Sequence, residues 1–167
     1  ISIRLVGSEM CIRDSYRRAA PYVSERVDIL GAGLSGLSSA IVLAKSGKEV
    51  HVHEVRQDSG ARFDGDFQGI ENWTSERDFF DEMREWGLDP DSFKSNSFGV
   101  VDLVHPDDAI TNPVTDGIAF RVVERGTDSH CIDQGFKRMA LEAGVKIHYG
   151  VKAVSYTHLR AHETYRD

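Results

Sequence analysis

The chain has 167 residues, enough for one domain and not comfortably for two. Its 27 acidic and 20 basic residues give a formal net charge of -7, which argues against a nucleic-acid partner because phosphate binding needs clustered lysine and arginine. Hydrophobic residues at 40% and charged residues at 28% are the proportions of an ordinary globular protein.

The two ends of the chain are related to each other at the level of DNA. If Ser8–Asp14 is written with the codons TCG GAG ATG TGT ATA AGA GAC, the opposite strand translates as VSYTHLR, which is Val154–Arg160 letter for letter. Folding gives no reason for this relationship, whereas an adapter ligated to both ends of a DNA fragment produces it. The pair resembles the translated transposon-end adapter of sequencing libraries. We therefore interpret residues 1–15 and 154–167 as adapter-derived and exclude them, which leaves 16–153 as the domain.

A strand, a helix and a second strand follow one another at the start of this domain. RVDILGAG, Arg26–Gly33, is a β-rich run that stops on glycines, and EVHVHEV, residues 49–55, has the composition of another strand. The expected apolar face of the helix between them consists of Leu37, Ile41 and Ala44. Gly47 is the expected breaker at the end of that helix. This order within about 30 residues is a βαβ unit, which implies parallel strands.

A long loop and a shorter helix come next. The charged, glycine-rich sequence at residues 57–72 predicts a loop that passes over a ligand. Thr74 and Ser75 are the expected caps of the following helix, with Asp78 as the acid of a capping box. Gly87 is expected to end this helix. Its expected inner face consists of Phe79, Met83 and Trp86.

The last part of the domain predicts two strands, a helix and a final strand. FGVVDLV, residues 98–104, and IAFRVVE, residues 118–124, are the two strands, and the polar stretch 106–116 is the loop between them. Residues 129–143 predict the helix, and VKIHY, residues 145–149, predicts the final strand. The expected apolar face of this helix consists of Ile132, Phe136, Met139 and Ala143.

GAGLSG, directly after the first strand, fits the pattern G-x-G-x-x-G. Its positions are Gly31, Ala32, Gly33, Leu34, Ser35 and Gly36. The motif follows a strand, opens a helix and precedes Glu54 at the end of the next strand, about 20 residues on, where the dinucleotide fingerprint has an acid. The sequence therefore predicts an α/β fold, a Rossmann-like dinucleotide-binding domain with a mostly parallel sheet.

Each position of the motif has a physical task in holding a dinucleotide. Gly31 permits the tight turn out of the strand, Gly33 lets the backbone approach a pyrophosphate because it has no Cβ, and Gly36 lets the helix pack against the sheet. The N–H groups and the positive dipole at the helix start hold the diphosphate. Glu54 is expected to accept hydrogen bonds from the ribose hydroxyls, and its charge opposes a 2′-phosphate. These features alone do not discriminate between NAD(P) and FAD.

EVRQDSGARFDGDFQGIENW, which begins at Glu54, resembles the region after the second strand in FAD-dependent oxidoreductases of the geranylgeranyl-reductase and aromatic-hydroxylase superfamily. In that superfamily a Gly-x-Arg element follows the strand, here Gly60-Ala61-Arg62, and its arginine contacts the cofactor phosphates or the ribityl chain. The later VVERGTDSHCIDQGFKRMALEAGVKIHYG resembles the superfamily segment in which a helix leads into another strand of the cofactor domain. Arg125 falls where an arginine of the superfamily approaches the flavin, although an ordinary surface arginine is the alternative.

The resemblance spans roughly residues 26–153 and implies FAD as the cofactor, with NAD(P) as the alternative. It also implies an oxidoreductase whose flavin transfers hydride to or from an isoprenoid or another hydrophobic small molecule. The second Gly-Asp motif and the substrate domain of the superfamily are absent, so we expect a truncated amino-terminal part of a larger enzyme, itself inactive. No residue is assigned a catalytic role. The rival interpretations are an NAD(P)-binding dehydrogenase domain and an inactive fragment that binds nothing.

Other candidate residues have plainer interpretations than metal or acid–base sites. His51 and His53 alternate on the second strand without a third ligand near them in sequence, so we expect partly exposed histidines and no metal site. Asp64 and Asp66 are expected to lie in a solvated acidic loop. Cys131, the one cysteine between the two adapter-like ends, is expected to be a small packing residue.

Cysteine content and hydropathy bear on location and partners. A single thiol forms no disulfide and is typical of a reducing compartment, so we expect a cytoplasmic protein. No apolar run approaches the ~20 residues that span a bilayer, so no transmembrane segment is expected, while peripheral membrane contact by the parent protein stays open. The expected partners are a small-molecule cofactor and a small-molecule substrate.

Overall fold

The structure is a computed structural model that describes residues 26–100, 102–107, 110–111 and 117–152. Both ends that we interpret as adapter-derived lie outside the described residues, so that interpretation stays a prediction. In chain order the elements are β1 (Arg26–Leu30), α1 (Leu34–Lys45), β2 (Glu49–Glu54), β3 (Phe67–Glu71), α2 (Phe79–Glu85), β4 (Ser95–Phe98), β5 (Leu103–Val104), β6 (Ile110–Thr111), β7 (Phe120–Glu124), α3 (Ile132–Glu142) and β8 (Lys146–Tyr149). Within these ranges, every helix is too short or too polar to cross a bilayer.

The βαβ unit predicted at the start of the domain is present. β1 and β2 pair in parallel, with Ile29 opposite Val52, and α1 is the connection between them. β2 also pairs in parallel with β8, with Val52 opposite Ile147. The strand order is β1-β2-β8, so the last strand of the described chain lies next to the second. The predicted α/β fold with a parallel sheet is confirmed.

The main hydrophobic core lies where α1 and α3 pack together and α1 covers the parallel sheet. Val50 and Val52 of β2 are buried in this core, and the alternate positions of the strand carry histidines. The helical residues buried there are Leu37, Ala40, Ile41, Ile132, Phe136, Met139 and Ala140. Most of the inner faces predicted for both helices is therefore confirmed, because residues at helical spacing face the same side, while Ala44 and the C-cap residue Ala143 are only partly buried.

The chain also forms a three-stranded antiparallel sheet, which the sequence did not predict. Its order is β3-β7-β4, with Gly69 opposite Val122 and Ser97 opposite Arg121. A Cβ at Gly69 would lie 2.1 Å from the tip of the Phe120 ring, so any larger residue there would displace that ring. β5 and β6 pair with each other as a short antiparallel ladder.

Three predicted element assignments are wrong. The loop expected at residues 57–72 contains β3, because these residues find a strand partner in β7 that is distant in sequence. The strand expected at residues 98–104 is not continuous, since β4 ends at Phe98 and β5 begins only at Leu103. β6 lies within the stretch 106–116 that was expected to be a loop.

Helix α2 is capped differently from the prediction. Asp78 is itself the N-cap, and its carboxylate accepts a hydrogen bond from the N–H of Phe80 over 2.8 Å. The hydroxyl of Ser75 instead accepts from the N–H of Arg77 over 3.2 Å, before the helix begins. Trp86 is 52% exposed because it is the C-cap residue, and Phe80 rather than Trp86 is buried.

Candidate dinucleotide-binding site

The glycine motif forms the turn between the end of β1 and the start of α1, as predicted. Gly31 has a φ of +98°, a left-handed conformation that favours glycine. Its N–H donates to the carbonyl of His53 over 2.8 Å, which ties the turn to β2. A Cβ on Gly36 would lie 2.0 Å from the carbonyl oxygen of Gly31. Two of the three glycines are therefore required by the shape of the turn itself.

Gly33 is different, because a Cβ at this position would meet nothing within 4 Å. It is the N-cap of α1, and this cap has no side-chain hydrogen bond and no acid in the first turn. A helix start of this kind leaves N–H groups and the positive end of the dipole available to an anion. The open space beside Gly33 therefore lies where a diphosphate would approach the backbone.

Glu54 closes β2 and points at the glycine turn. Its Oε2 accepts a hydrogen bond from the N–H of Ala32 over 2.8 Å, and its Oε1 accepts from the N–H of Arg56 over 2.8 Å. The residue is buried, at 9% exposure. Each carboxylate oxygen has a further lone pair, so both oxygens keep capacity to accept a hydroxyl proton. This is the orientation expected of the acid in the fingerprint.

A cavity of about 210 Å³ adjoins the turn. Its wall includes Ala32, Gly33, Glu54, Arg56, Arg62 and Arg125. Leu34 and Ser35 instead line a second, larger cavity of about 510 Å³, together with the apolar residues Ile70, Phe79, Met83 and Phe136. The structure thus brings the predicted acid, both predicted arginines and part of the glycine turn to one cavity, and two motif residues face its larger neighbour. Arg56 was missed by the sequence analysis, although it stands two positions after the predicted acid.

The two predicted arginines differ in how firmly they are held. Arg62 is exposed, and its guanidinium lies 5.1 Å from the ring centre of Phe63. Arg125 is a forked partner of the fully buried Asp133, at 2.7 Å from Nε and 2.8 Å from a terminal nitrogen. Its other terminal nitrogen donates to Gln68 over 2.5 Å. Arg125 is therefore not an ordinary surface arginine, and its main partner is a carboxylate of the protein.

Asp133 also joins the two loops that form the far side of the cavity. Its carboxylate accepts the N–H of Gly126 over 3.1 Å. A Cβ on Gly60 would lie 2.3 Å from the carbonyl oxygen of Gly126, so the two loops meet backbone to backbone. Sequence reasoning missed Asp133 because it was one polar position in a helix. In the sequence, Asp133 stood out only as an acidic residue beside the predicted apolar face of the helix.

Asp64 is exposed, as expected of a solvated acid, and it also has a structural partner. Its carboxylate accepts hydrogen bonds from both the N–H and the hydroxyl of Thr127, each over 2.8 Å. The backbone N–H of Thr127, followed by its hydroxyl, holds the pKa of Asp64 below its usual range. The residue fastens the loop after β2 to the segment that follows β7.

Acidic residues and two exposed arginines surround the cavity. Burial alone would raise the pKa of Asp58, but hydrogen bonds from Lys137, at 2.6 Å, and from the N–H of Ser59 outweigh it and hold the pKa below its usual range. Asp58 and Asp133 are thus each paired with a basic residue. The exposed Arg56 and Arg62 line the same cavity, and a guanidinium nitrogen of Arg56 lies 4.0 Å from the Glu54 carboxylate. Arg62 is therefore the exposed cation best placed to meet an anionic ligand there.

The histidines of β2 are more buried than predicted. His51 and His53 share a face of the sheet, and His148 of β8 stacks against both, with ring centres 5.2 Å and 5.0 Å away. Two acids flank these three histidines, which we call the histidine row. A carboxylate oxygen of Asp28 lies 2.7 Å from Nε2 of His53, and one of Glu49 lies 2.9 Å from Nε2 of His51. Burial first, and then the neighbouring histidines, lower the pKa of His148. The third histidine was missed because it reaches the other two only through strand pairing.

Comparison with known proteins supports the assignment of the glycine turn. A family described as an NAD(P)-binding Rossmann-like domain matches residues 29–67. Hydroxysqualene dehydroxylase of Rhodopseudomonas palustris is 52% identical over 40 residues, which are 24% of this chain and 10% of that protein. The sequence similarity is thus concentrated in the βαβ unit and the loop after it.

Solved structures extend the similarity to most of the domain. A structure of 2-methyl-3-hydroxypyridine-5-carboxylic acid oxygenase superposes with a TM-score of 0.59 at 21% identity, over 77% of this chain and 32% of that one. A geranylgeranyl bacteriochlorophyll reductase-like protein of Thermoplasma acidophilum gives 0.58 at 18% identity, over 78% and 31%. The chain therefore spans about a third of the structures it resembles. The resemblance to the geranylgeranyl-reductase and aromatic-hydroxylase class is confirmed at the level of the fold.

Proposed function

We propose that this chain, which has the Rossmann-like fold of that oxidoreductase class, is the amino-terminal cofactor-binding part of an FAD-dependent oxidoreductase. The observation that carries the proposal is the hydrogen bond from the Ala32 N–H to Glu54 at 2.8 Å, which sets the acid against the glycine turn at the edge of one cavity. In the proposal, the turn from Gly31 to Gly36 holds the diphosphate and Glu54 holds the adenosine ribose.

FAD is preferred over NAD(P) because of the residues after β2. Gly60, Ala61 and Arg62 line the cavity, so an arginine stands beside the proposed diphosphate position. In the proposal, Arg62 neutralises phosphate charge and Arg125 approaches the flavin end of the cofactor. NADPH is disfavoured on electrostatic grounds, since its 2′-phosphate would meet the Glu54 carboxylate. NADH remains the rival ligand, in keeping with the family that matches residues 29–67.

The chemistry of such a protein is that of its cofactor. Bound FAD would supply hydride transfer, and the residues described above would bind, orient and charge-balance it. None of these residues is proposed to donate or accept a proton in the reaction. The activity is therefore a property of the larger protein, and this chain alone is proposed to be inactive.

The second cavity bears on the substrate class. Its wall includes the apolar residues Leu34, Ile70, Phe79, Met83 and Phe136 beside polar and charged ones such as Glu71, Arg77 and Glu82, and Leu34 joins it directly to the glycine turn. The short similarity to hydroxysqualene dehydroxylase also favours a hydrophobic, isoprenoid-like molecule. We therefore propose a hydrophobic small molecule as the substrate of the parent protein.

The proposal is tested by titrating the purified chain with FAD, ADP, NADH and NADPH in parallel, with heat uptake or release as the signal. ADP and FAD are expected to bind comparably, because the chain supplies the adenosine–diphosphate half of the site. FAD is expected to be lost on gel filtration. Gly33→Val should abolish binding of both ligands, because its side chain fills the space left for the diphosphate, and Ser39→Ala on the outer face of α1 should not.

Two outcomes would contradict the proposal. Failure of every ligand to bind a folded chain would favour the interpretation as a fragment that binds nothing. Tighter binding of NADH than of FAD would favour a dehydrogenase domain, and a parent protein purified without a yellow, fluorescent flavin would agree with it.

A further inference from the structure

The segment that joins β7 to α3 brings three different metal-ligating side chains together. Glu124 ends β7, Cys131 is the N-cap of α3, and His130 stands just before it. A carboxylate oxygen, an imidazole nitrogen and the thiol sulfur of these residues all lie within 4.8 Å of one another. We propose that Glu124, His130 and Cys131 bind one divalent cation of the zinc class, with solvent in the remaining position.

Backbone hydrogen bonds and strand pairing hold the three ligand residues in place. The N–H of Cys131 donates to the carbonyl of Asp128 over 2.9 Å, and the carbonyl of His130 accepts from the N–H of Lys94 over 2.9 Å. Glu124 is fixed by its pairing with Phe67 across the antiparallel sheet. A cation would therefore bind to ligands carried by ordered backbone, which reduces the entropy lost on binding.

The pair formed by His130 and Glu124 needs only a small adjustment to accept a metal. The Nε2 of His130 lies 2.9 Å from the Oε2 of Glu124, a hydrogen bond that shares one proton. Two ligands of a tetrahedral zinc at ~2.1 Å stand about 3.4 Å apart, so the pair must open by roughly 0.5 Å. The cation would replace the shared proton between the same two atoms.

The ligand types select the metal. A thiolate sulfur favours zinc and other borderline or soft cations and does not suit Mg²⁺ or Ca²⁺, which take oxygen ligands. Sulfur, imidazole and carboxylate are the three ligand types that zinc sites in proteins use.

Exposure of the ligands gives the site an entrance and an open position. Cys131 is buried at 1% exposure, whereas the side chains of Glu124 and His130 are 32% and 42% exposed. The sulfur thus forms the inner wall, and the two other ligands face solvent. Three protein ligands with one water is the arrangement of zinc sites that keep a free coordination position.

The alternative interpretation is an ion pair between Glu124 and His130 beside a cysteine that only fills space. Binding of Co²⁺ distinguishes a metal site from such an ion pair. The full chain, kept reduced, is titrated with Co²⁺, and the thiolate-to-cobalt charge-transfer absorption is followed in the near ultraviolet. One Co²⁺ per chain is expected, displaced by one Zn²⁺. Cys131→Ser should remove the absorption, and His130→Gln should weaken Co²⁺ binding at least tenfold.

Matched controls are present in the same chain. Cys11→Ser removes the other cysteine and His148→Gln removes a histidine of the row on β2 and β8, and both are expected to bind Co²⁺ like the parent chain. If Cys131→Ser disturbs the fold, His130→Gln provides the second test. Because His130 is exposed, its replacement should leave the circular dichroism spectrum unchanged. Absence of the absorption, its loss in Cys11→Ser, or undiminished binding by His130→Gln would each overturn the proposal.

Discussion

The backbone N–H of Ala32 and the carboxylate of Glu54 are joined by a hydrogen bond of 2.8 Å between positions 22 residues apart. The contact fastens the glycine turn to the end of β2 and sets the acid at the edge of the cavity. Glu54 therefore has a structural task as well as its proposed task in binding ribose, and the two tasks have separate experimental signatures.

Glu54→Gln is expected to weaken FAD binding and to lower stability together. A hydrogen bond to a charged group contributes about 1.5–3 kcal/mol, so we expect FAD affinity to fall about tenfold to a hundredfold. The free energy of unfolding should fall by about 1–2 kcal/mol, since a neutral amide replaces the acceptor of two N–H groups. Calorimetry and urea unfolding measure the two effects. Glu142→Gln, at an exposed position of α3, should change neither, and full FAD affinity in Glu54→Gln would contradict the ribose role.

Alanine at Gly33 and at Gly36 should separate ligand binding from folding. Gly36→Ala is expected to lower the free energy of unfolding by roughly 3 kcal/mol, because its Cβ would lie 2.0 Å from a backbone carbonyl oxygen. Gly33→Ala should keep the free energy of unfolding within about 0.5 kcal/mol of that of the parent chain, since its Cβ meets nothing within 4 Å. It should nevertheless weaken FAD and ADP binding. A Gly33→Ala chain that unfolds as readily as Gly36→Ala would refute this division.

Asp133→Asn is expected to be among the most destabilising single changes near the cavity. Removing the charge of a buried partner leaves Arg125 without its forked acceptor, and breaking a buried pair in this way costs about 3–5 kcal/mol. The loss is measured by urea unfolding. Asp91→Asn, with a side chain 81% exposed, serves as the matched control and should change stability by less than about 0.5 kcal/mol. A small effect of Asp133→Asn would mean that the fork to Arg125 is not formed.

Arg62→Ala tests the contact with the cofactor phosphates that the superfamily resemblance implies for Arg62. The side chain is exposed, so the unfolding midpoint should stay unchanged while FAD and ADP affinity fall about fivefold to tenfold through loss of a phosphate contact. Arg84→Ala, also exposed and on α2, should leave affinity intact. Equal affinities for Arg62→Ala and the parent chain would remove Arg62 from the site.

The histidine row should make stability depend on pH below neutrality. The pKa of His148 in the folded chain is lowered by burial and by His53 and His51, so the unfolded state takes up this proton first. Stability from this group is complete above the unfolded pKa of about 6.5 and is lost as the pH falls toward the lower folded pKa. Thermal unfolding between pH 8 and pH 5 should show a smaller decline in His148→Phe, whereas Ser39→Ala, at an exposed position of α1, should follow the parent chain. An identical decline in all three would contradict the assignment.

The βαβ unit was predictable because its signals are local. Gly31, Gly33 and Gly36 stand at fixed spacing between a β-rich run and a helical period, and the register of the two strands then places Glu54 at the turn without further information. The buried faces of α1 and α3 follow from the same periodicity. Local pattern therefore sufficed for the proposed diphosphate and ribose positions.

The remaining parts of the site depend on contacts that sequence spacing does not encode. β3 is a strand only because β7 pairs with it, and the short run at residues 67–71 has little strand character of its own. The fork between Arg125 and Asp133 needs a fixed turn between β7 and α3, and His148 reaches His53 only through the pairing of β2 with β8. Such features become visible only when tertiary packing is known.

Gly33 and Gly36 are under different physical constraints. Position 36 is barred to any side chain by the carbonyl of Gly31, so a descendant that had abandoned its nucleotide would still keep glycine there to stay folded. Position 33 has room for a methyl group and is constrained only from outside the protein. Among distant homologues, substitution at position 33 with glycine retained at position 36 would thus mark the lineages in which this turn no longer serves a ligand.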